Sequence, residues 1–413
     1  MTASTGPTQR FRYGMFAALY VVQGVGLAYF RNFQKPYLDA LGVDADTIGI
    51  LTLVLQLPFI FKIFIGMLSD RVSLLGMGHR KPYILLGLIL ATLAFGGATF
   101  VLPDVSFLAF AVIITIGSFA VTLFDSATDG LAIDITPKRE QGRIQGVMVA
   151  GRASAFILLS LLFGGLVQRY GYRPVFPIIG VAMLVPLVWV FRLSDRSDRA
   201  PAQRFQWSAF RVLGQKRFLL FSAYAVIYSI GSFGVDGLVT YFMSECFGAT
   251  ESLIGQYGAL RGVGAVLGAL IGGVLLDRLS RRVSALGAVG AISVVAVLVG
   301  LASGSPMVIA LGLVWGLVWA LQETVFFALA MDIADPRIAA SMFAIMMGIS
   351  NLGSAVADGA ATALSDDWGF RAVFWALAAI NLLTLPALLS LFRAAPDIAA
   401  DTRAAATGQR ALS

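Results

Sequence analysis

Apolar stretches of roughly twenty residues, long enough as helices to cross a hydrocarbon core of ~30 Å, follow one another along nearly the whole chain. They cover 12–41, 46–69, 82–101, 106–134, 141–167 and 173–192, then 217–244, 251–276, 283–302, 307–333, 338–364 and 371–392. Glycine, proline or charged residues punctuate each junction. Within the stretches polar positions are few and do not alternate with apolar ones, so the pattern predicts helices rather than strands. The expected architecture is all-α, with twelve transmembrane helices in two bundles of six. The first bundle spans 1–192, a charged linker containing Pro201 spans 193–216, the second bundle spans 217–393, and an Ala-rich tail at 394–413 is expected to be disordered. A short interfacial helix around 205–212 is expected within the linker.

The second half repeats the first. Leu123-Phe-Asp-Ser-Ala-Thr-Asp-Gly-Leu-Ala-Ile-Asp-Ile135 returns as Leu321-Gln-Glu-Thr-Val-Phe-Phe-Ala-Leu-Ala-Met-Asp-Ile333, 198 residues later. Arg169-Tyr-Gly-Tyr-Arg-Pro-Val-Phe176 returns at the same offset as Asp367-Trp-Gly-Phe-Arg-Ala-Val-Phe374. Gly66-Met-Leu-Ser-Asp-Arg71 returns as Gly273-Val-Leu-Leu-Asp-Arg278 at an offset of 207. Self-similarity at half length in so apolar a chain points to a duplicated, pseudo-symmetric transporter.

Composition narrows this reading. Hydrophobic residues make up 58% of the 413 and charged residues only 13%, against about a quarter charged in soluble domains. The net charge of +7 does not indicate nucleic acid. Most Lys and Arg fall at the N-terminus, in the loops after even-numbered helices, and at the C-terminus, which by the positive-inside rule places both termini in the cytoplasm. The polar N-terminus and long first apolar run argue against a cleaved signal, and the inner membrane is the expected location. One cysteine (Cys246) and one histidine (His79) exclude an internal disulfide and Cys- or His-built metal chemistry. A phosphate-binding Gly-x-x-x-x-Gly-Lys-Ser/Thr loop is missing, so ATP is not the expected driver. No enzyme activity, cofactor or metal is expected, and the protein is expected to act as a monomer.

The loop between the second and third helices carries Gly66-Met-Leu-Ser-Asp70-Arg71 and Gly78-His-Arg80-Lys81-Pro82-Tyr83. It resembles the loop signature of the major facilitator superfamily. The resemblance implies a glycine that lets helices pack closely and a cytoplasmic charge lock joining Asp70, Arg71 and Arg80 to Asp134. The echo at 273–282 implies a second lock joining Asp277 and Arg278 to Asp332, with Arg281 and Arg282 beside it. A narrower resemblance rests on Tyr20-Val-Val-Gln23-Gly24, Leu57-Pro58 through Lys62, Asp125-x-x-x-Asp129, and Pro137-Lys-Arg139-Glu-x-Gly142. These look like the peptide–acetyl-CoA transporter branch, which includes muropeptide permeases, and are similar to folate–biopterin and siderophore permeases. Phe124 departs from the polar residue common at that place in muropeptide permeases.

Charges at bilayer depth cost several kcal/mol unless they pair or line a polar cavity. Asp125 and Asp129, four apart, share one helix face. Counting from the turn near residue 137, Asp125 and Arg152 lie at similar depth and are expected to pair. The same count around Gly248 pairs Asp236 with Arg261. Glu323 takes the place of Asp125 in the repeat, while Ser350, beside Asn351, takes the place of Arg152. Glu323 and Asp129 are therefore the expected proton carriers. Gln23, Arg31, Lys35 and Asn351 are candidate solute contacts. Arg31 and Lys35 could equally reach outward to the membrane interface, and Lys62 is expected to extend to the cytoplasmic face. Trp315, Trp319, Phe326 and Phe327 are expected to pack or face lipid rather than cage a solute.

Together these features predict a secondary transporter whose halves rock about a central site, coupled to protons and working inward on a polar or anionic organic solute. An efflux antiporter of the same fold is the alternative, and a transporter-shaped sensor or assembly factor a further one.

Overall fold

The computed structural model describes residues 8–74, 76–136, 141–194, 211, 214–333 and 339–396, although some side chains within these ranges, among them those of Asp70, Arg71 and Asp277, lie outside the described set. Most of the 193–216 linker, with its expected interfacial helix, and nearly all of the 394–413 tail also lie outside it.

Every described element is helical. In chain order they are α1 (Gln9–Ala28), a π-helical turn (Tyr29–Phe33), α2 (Gln34–Asp39), α3 (Ala45–Ile60), α4 (Lys62–Arg71), α5 (Lys81–Ala98), α6 (Phe107–Ile135), α7 (Gln141–Tyr170), α8 (Val175–Ala182) and α9 (Leu187–Arg192). The second half continues with α10 (Lys216–Phe247), α11 (Glu251–Arg278), α12 (Arg281–Gly300), α13 (Ser305–Ile333), α14 (Ala339–Trp368), α15 (Phe370–Leu382) and α16 (Thr384–Ala394).

Ten helical stretches among the described residues are long and apolar enough to cross a membrane. Of the twelve expected spans, the second is divided at Phe61 into α3 and α4. Pro58 lies just before this break, and proline cannot donate to the helical ladder. The eleventh is α14, part of whose N-terminal side chains lie outside the described set. Prolines also mark the breaks in the sixth and twelfth spans: Pro186 precedes α9 and Pro386 lies in the first turn of α16.

The repeated Gly-Tyr/Phe-Arg motif has a backbone explanation. Gly171 and Gly369 both adopt positive φ, 73° and 76°. Only glycine enters that region without a Cβ penalty, so each ends one long helix and re-aims the chain into the next.

The chain forms two compact units. One comprises Met1–Gly42, Val54–Phe205 and Thr250–Gly258, and the other Val43–Leu53, Gln206–Ala249 and Ala259–Ser413. In the first, α1 lies directly on α7, because a Cβ at Gly24 would sit 2.3 Å from the Arg152 carbonyl oxygen. Gly87 likewise seats α5 on the Phe124 backbone of α6, where a Cβ would fall 2.7 Å from the Phe124 nitrogen. In the second unit, Gly353 seats α14 on the Val226 carbonyl of α10, and Gly316 seats α13 on the Arg261 carbonyl of α11. Tyr228 stacks on Phe326 at 5.2 Å in the buried cluster of this unit. The glycines of the loop signature serve differently from expectation. A Cβ at Gly66 or Gly273 would meet no described atom within 4 Å, whereas one at Gly130 would fall 2.3 Å from Arg80 Cζ.

Candidate functional site

A charged cluster at predicted bilayer depth lies in the first unit. Asp125 and Asp129 project from one face of α6, as their spacing predicts. A single ammonium bridges them: Lys62 Nζ is 2.5 Å from Asp125 Oδ2 and 2.7 Å from Asp129 Oδ2. From α1, Gln23 Nε2 donates to Asp125 Oδ1 at 2.8 Å, and the Tyr20 hydroxyl donates to Asp129 Oδ1. The two carboxylates differ in access. The Asp125 side chain is 5% exposed and that of Asp129 39%.

Lys62 therefore does not extend to the cytoplasmic face. It is the first residue of α4, immediately after the break at Phe61. A cation at a helix N-terminus opposes the helix dipole, and two carboxylates at hydrogen-bond distance outweigh that opposition. An i, i+4 carboxylate pair offers four acceptor oxygens on one face, which suits one three-donor ammonium.

The expected Asp125–Arg152 ion pair is absent. Depth along antiparallel helices says nothing about rotation, and Gly24 presses α1 onto the Arg152 backbone. The Arg152 guanidinium instead lies over the Tyr20 ring, 5.8 Å from its centroid, and is near enough to Asp125 to be felt electrostatically. Among the described residues Arg152 makes no ion pair. Gln23 Oε1 is buried and has no hydrogen-bond partner there either.

The second unit holds a closed charge pair. Arg261 Nε and Nη2 donate to the two Asp236 oxygens at 2.8 and 2.7 Å. Trp315 Nε1 donates to Asp236 Oδ1 at 2.9 Å, and the guanidinium lies 4.4 Å from the Trp319 ring centroid. Both tryptophans thus support the ion pair. Phe326 is buried in the core and Phe327 half-buried against it. Glu323 lies on α13 close enough to Tyr224 to act on it electrostatically. Ser350, at the repeat position of Arg152, meets Ser229 of α10 at 2.6 Å, and Asn351 beside it is half-buried. Lys35 is buried on α2, which rules out an outward reach to the interface, and Arg31 is half-buried on the π-helical turn.

At the predicted cytoplasmic ends the two copies agree. Arg80 Nε lies 3.0 Å from Asp134 Oδ2, with Nη1 donating to Ser69 Oγ. Arg281 Nε lies 2.9 Å from Asp332 Oδ2, with Nη1 donating to the Leu276 carbonyl. The cation of the second pair is therefore Arg281. Arg278 is exposed, three residues before it, and Asp70, Arg71 and Asp277 lie outside the described side chains.

This geometry accompanies a family match over nearly the whole length of the protein. The profile of the Major Facilitator Superfamily matches residues 15–245 and again 221–412. The chain belongs to the Major Facilitator Superfamily. Among its curated relatives is the anhydromuropeptide permease of Escherichia coli, 24% identical over 280 residues, which are 66% of this chain and 57% of the permease. The chain thus matches little more than half the length of that relative. A cis,cis-muconate transport protein of Acinetobacter baylyi is 25% identical over 64% of this chain and 65% of its own. The multidrug resistance protein MdtG of Proteus mirabilis is 23% identical over 88% of this chain and 91% of its own. Among solved structures, a bacterial homolog of the human lysosomal transporter Spinster superposes with a TM-score of 0.72 at 15% identity, covering 94% of this chain and 98% of that one. The nucleoside transporter NupG gives 0.72 at 14%, covering 92% and 100%. These structural likenesses establish the fold alone.

Two site residues escaped sequence reasoning. Tyr20 and Lys62 stand inside the recognised motifs, yet nothing local marks either as a partner of Asp125 or Asp129. The available signal was numerical. Two carboxylates on one helix face need a cation, and Lys62 is a charged residue within the second apolar run, just past a proline.

Proposed function

We propose that the protein is a proton-coupled secondary transporter that takes up a carboxylate-bearing organic solute across the inner membrane. The observation that carries this reading is the charge balance of the first-unit cluster. Asp125 and Asp129 with Lys62 and Arg152 sum to zero. Arg152 has no ion-pair partner among the described residues and lies over the Tyr20 ring, while Gln23 Oε1 is a buried acceptor without a hydrogen-bond partner among them. An anionic group bound at Arg152 would leave the cluster one charge negative. Carrying a net charge through a low-dielectric region is expensive, and one proton restores neutrality. Asp129 suits that proton because its carboxylate is the more accessible of the two and is held by a neutral hydroxyl as well as by Lys62. Solute anion and proton then travel together, which is symport. Asp125, buried and bonded to Gln23 and Lys62, serves as the fixed charge. The Arg80–Asp134 and Arg281–Asp332 pairs suit a cytoplasmic lock that is broken and remade in each alternating-access cycle, with both termini cytoplasmic.

The muropeptide, muconate and folate–biopterin substrates named for the relatives set the first solutes to try. Purified protein in proteoliposomes should accumulate at least one of cis,cis-muconate, an anhydromuropeptide or folate when the outside is acidic, and a protonophore should abolish the accumulation. Asp129→Asn should retain exchange of solute across the membrane but lose gradient-driven accumulation. If Asp129→Asn accumulates solute like the parent, Asp129 is not the coupling site. The long match to MdtG supports a second reading, proton-driven efflux. Solute loss from loaded vesicles driven by an opposed proton gradient would establish that reading in place of uptake.

A further inference from the structure

Far along the chain from the charged cluster, a surface groove of about 490 Å³ opens where two predicted spans end. Its walls come from the last turns of α10, from the turn after α14 and from the first turns of α15, all in the second unit. Phe242 forms a buried floor and packs edge-on against Phe247 at 4.9 Å. Trp368 and Trp375 line the groove yet remain 59% and 43% exposed. Arg371 stands on its rim, with Gly369 at positive φ turning the chain so that Trp368 and Arg371 both reach the same opening. Cys246, the single cysteine of the chain, is an exposed part of the wall.

Location and chemistry together select an occupant. α10 ends its apolar span at Phe247 and α15 begins its span at Phe370, so the groove straddles the border between hydrocarbon and headgroups. Its lower part is aromatic and its rim carries a guanidinium that makes no ion pair among the described residues. Tryptophan at such a border serves as an interfacial anchor, but a lone anchor needs neither a concave floor nor a cation beside it. A molecule that is apolar below and carries a phosphodiester above matches all three features, and guanidinium–phosphate recognition is strong and directional. We propose that this groove is a specific glycerophospholipid site, with the phosphodiester on Arg371 and the first acyl methylenes between Trp375 and Phe247. The site is independent of the transported solute.

Cys246 supplies the readout. The full chain, purified in dodecyl maltoside, is labelled with a fluorescent maleimide while dioleoylphosphatidylethanolamine or dioleoylphosphatidylglycerol is titrated in, with dioleoylglycerol as the phosphate-free control. Both phospholipids should slow labelling saturably and dioleoylglycerol should not. Arg371→Gln should raise the concentration needed by about fivefold or more, as expected for loss of a charge-assisted contact. Native mass spectrometry should show one phospholipid retained by the parent and lost from Arg371→Gln. Trp375→Ala offers a second variant that weakens the apolar part while keeping the cation. Equal slowing by dioleoylglycerol, or phospholipid protection unchanged in both variants, would overturn the proposal by showing only bulk amphiphile contact.

Discussion

The two copies of the repeat have kept their predicted cytoplasmic ends alike and let their middles diverge. At the ends, Arg80 with Asp134 and Arg281 with Asp332 are equivalent pairs with nearly equal geometry. At bilayer depth the first copy gathers two carboxylates, one lysine, a tyrosine and a glutamine, with an arginine beside them. The same repeat positions in the second copy hold Glu323, Phe327 and Ser350. Its own buried ion pair, Asp236 with Arg261, joins different helices and is saturated by two arginine donors and one indole N–H. A saturated pair has little capacity to exchange partners. The first-copy cluster has an accessible carboxylate and an arginine that makes no ion pair among the described residues, the two features on which the proposed coupling of proton and anion rests.

The largest expected effect is at Lys62. Lys62→Met leaves the more accessible Asp129 and the buried Asp125 without their bridging cation, and stranding the buried Asp125 carboxylate costs about 3–5 kcal/mol. Thermal unfolding of the purified protein should show a strongly destabilised variant, with much of the loss recovered in Lys62→Met/Asp125→Asn. Uptake should not return in that double variant, since the charge balance of the site is gone. Unchanged stability in Lys62→Met would mean that the bridge contributes nothing.

The second copy should respond differently to the same treatment. Asp236→Asn strands Arg261 and should destabilise by roughly 3 kcal/mol, and Asp236→Asn/Arg261→Gln should recover most of it. Here transport should return along with stability, as expected of a pair whose part is to hold α10 and α11 together. A stable double variant that transports no solute would erase the distinction between the halves.

Smaller effects are expected at the lock. The Arg80 side chain is largely buried and also bonds Ser69, so Arg80→Gln should cost about 1–2 kcal/mol. Arg281 is more exposed, and Arg281→Gln should cost about 0–1 kcal/mol. Equal costs, read from unfolding midpoints, would show that burial does not separate the copies. The smallest stability change belongs to Arg152→Gln, about 0.5–1 kcal/mol for the lost contact with the Tyr20 ring. That variant should nonetheless raise KM for an anionic solute far more than it alters unfolding. A KM that does not move would remove Arg152 from the solute site.

The architecture was legible in the amino-acid order because it depends on sums over long windows. Twenty apolar residues in a row demand a bilayer, and a half-length repeat demands two related bundles, whereas the positive φ at the repeated Gly171 and Gly369 came from the structure. The i, i+4 spacing likewise put Asp125 and Asp129 on one face without any knowledge of neighbours. Which cation meets those carboxylates depended on something no window contains. Helix rotation is set by whichever small residue allows the closest approach, and Gly24 against the Arg152 carbonyl turned that arginine onto Tyr20 while the break at Phe61 delivered Lys62. Counting residues from a turn gives depth, and depth was enough for Asp236 and Arg261, where rotation happened to agree. For Asp125 it was not, because a side chain at the right height can still face the wrong neighbour. The sequence by itself determined the solvent, the helices and the duplication, all consequences of local composition and period. Tertiary structure alone decided the partners of each buried charge, because those depend on azimuth and backbone contact between helices distant in the chain.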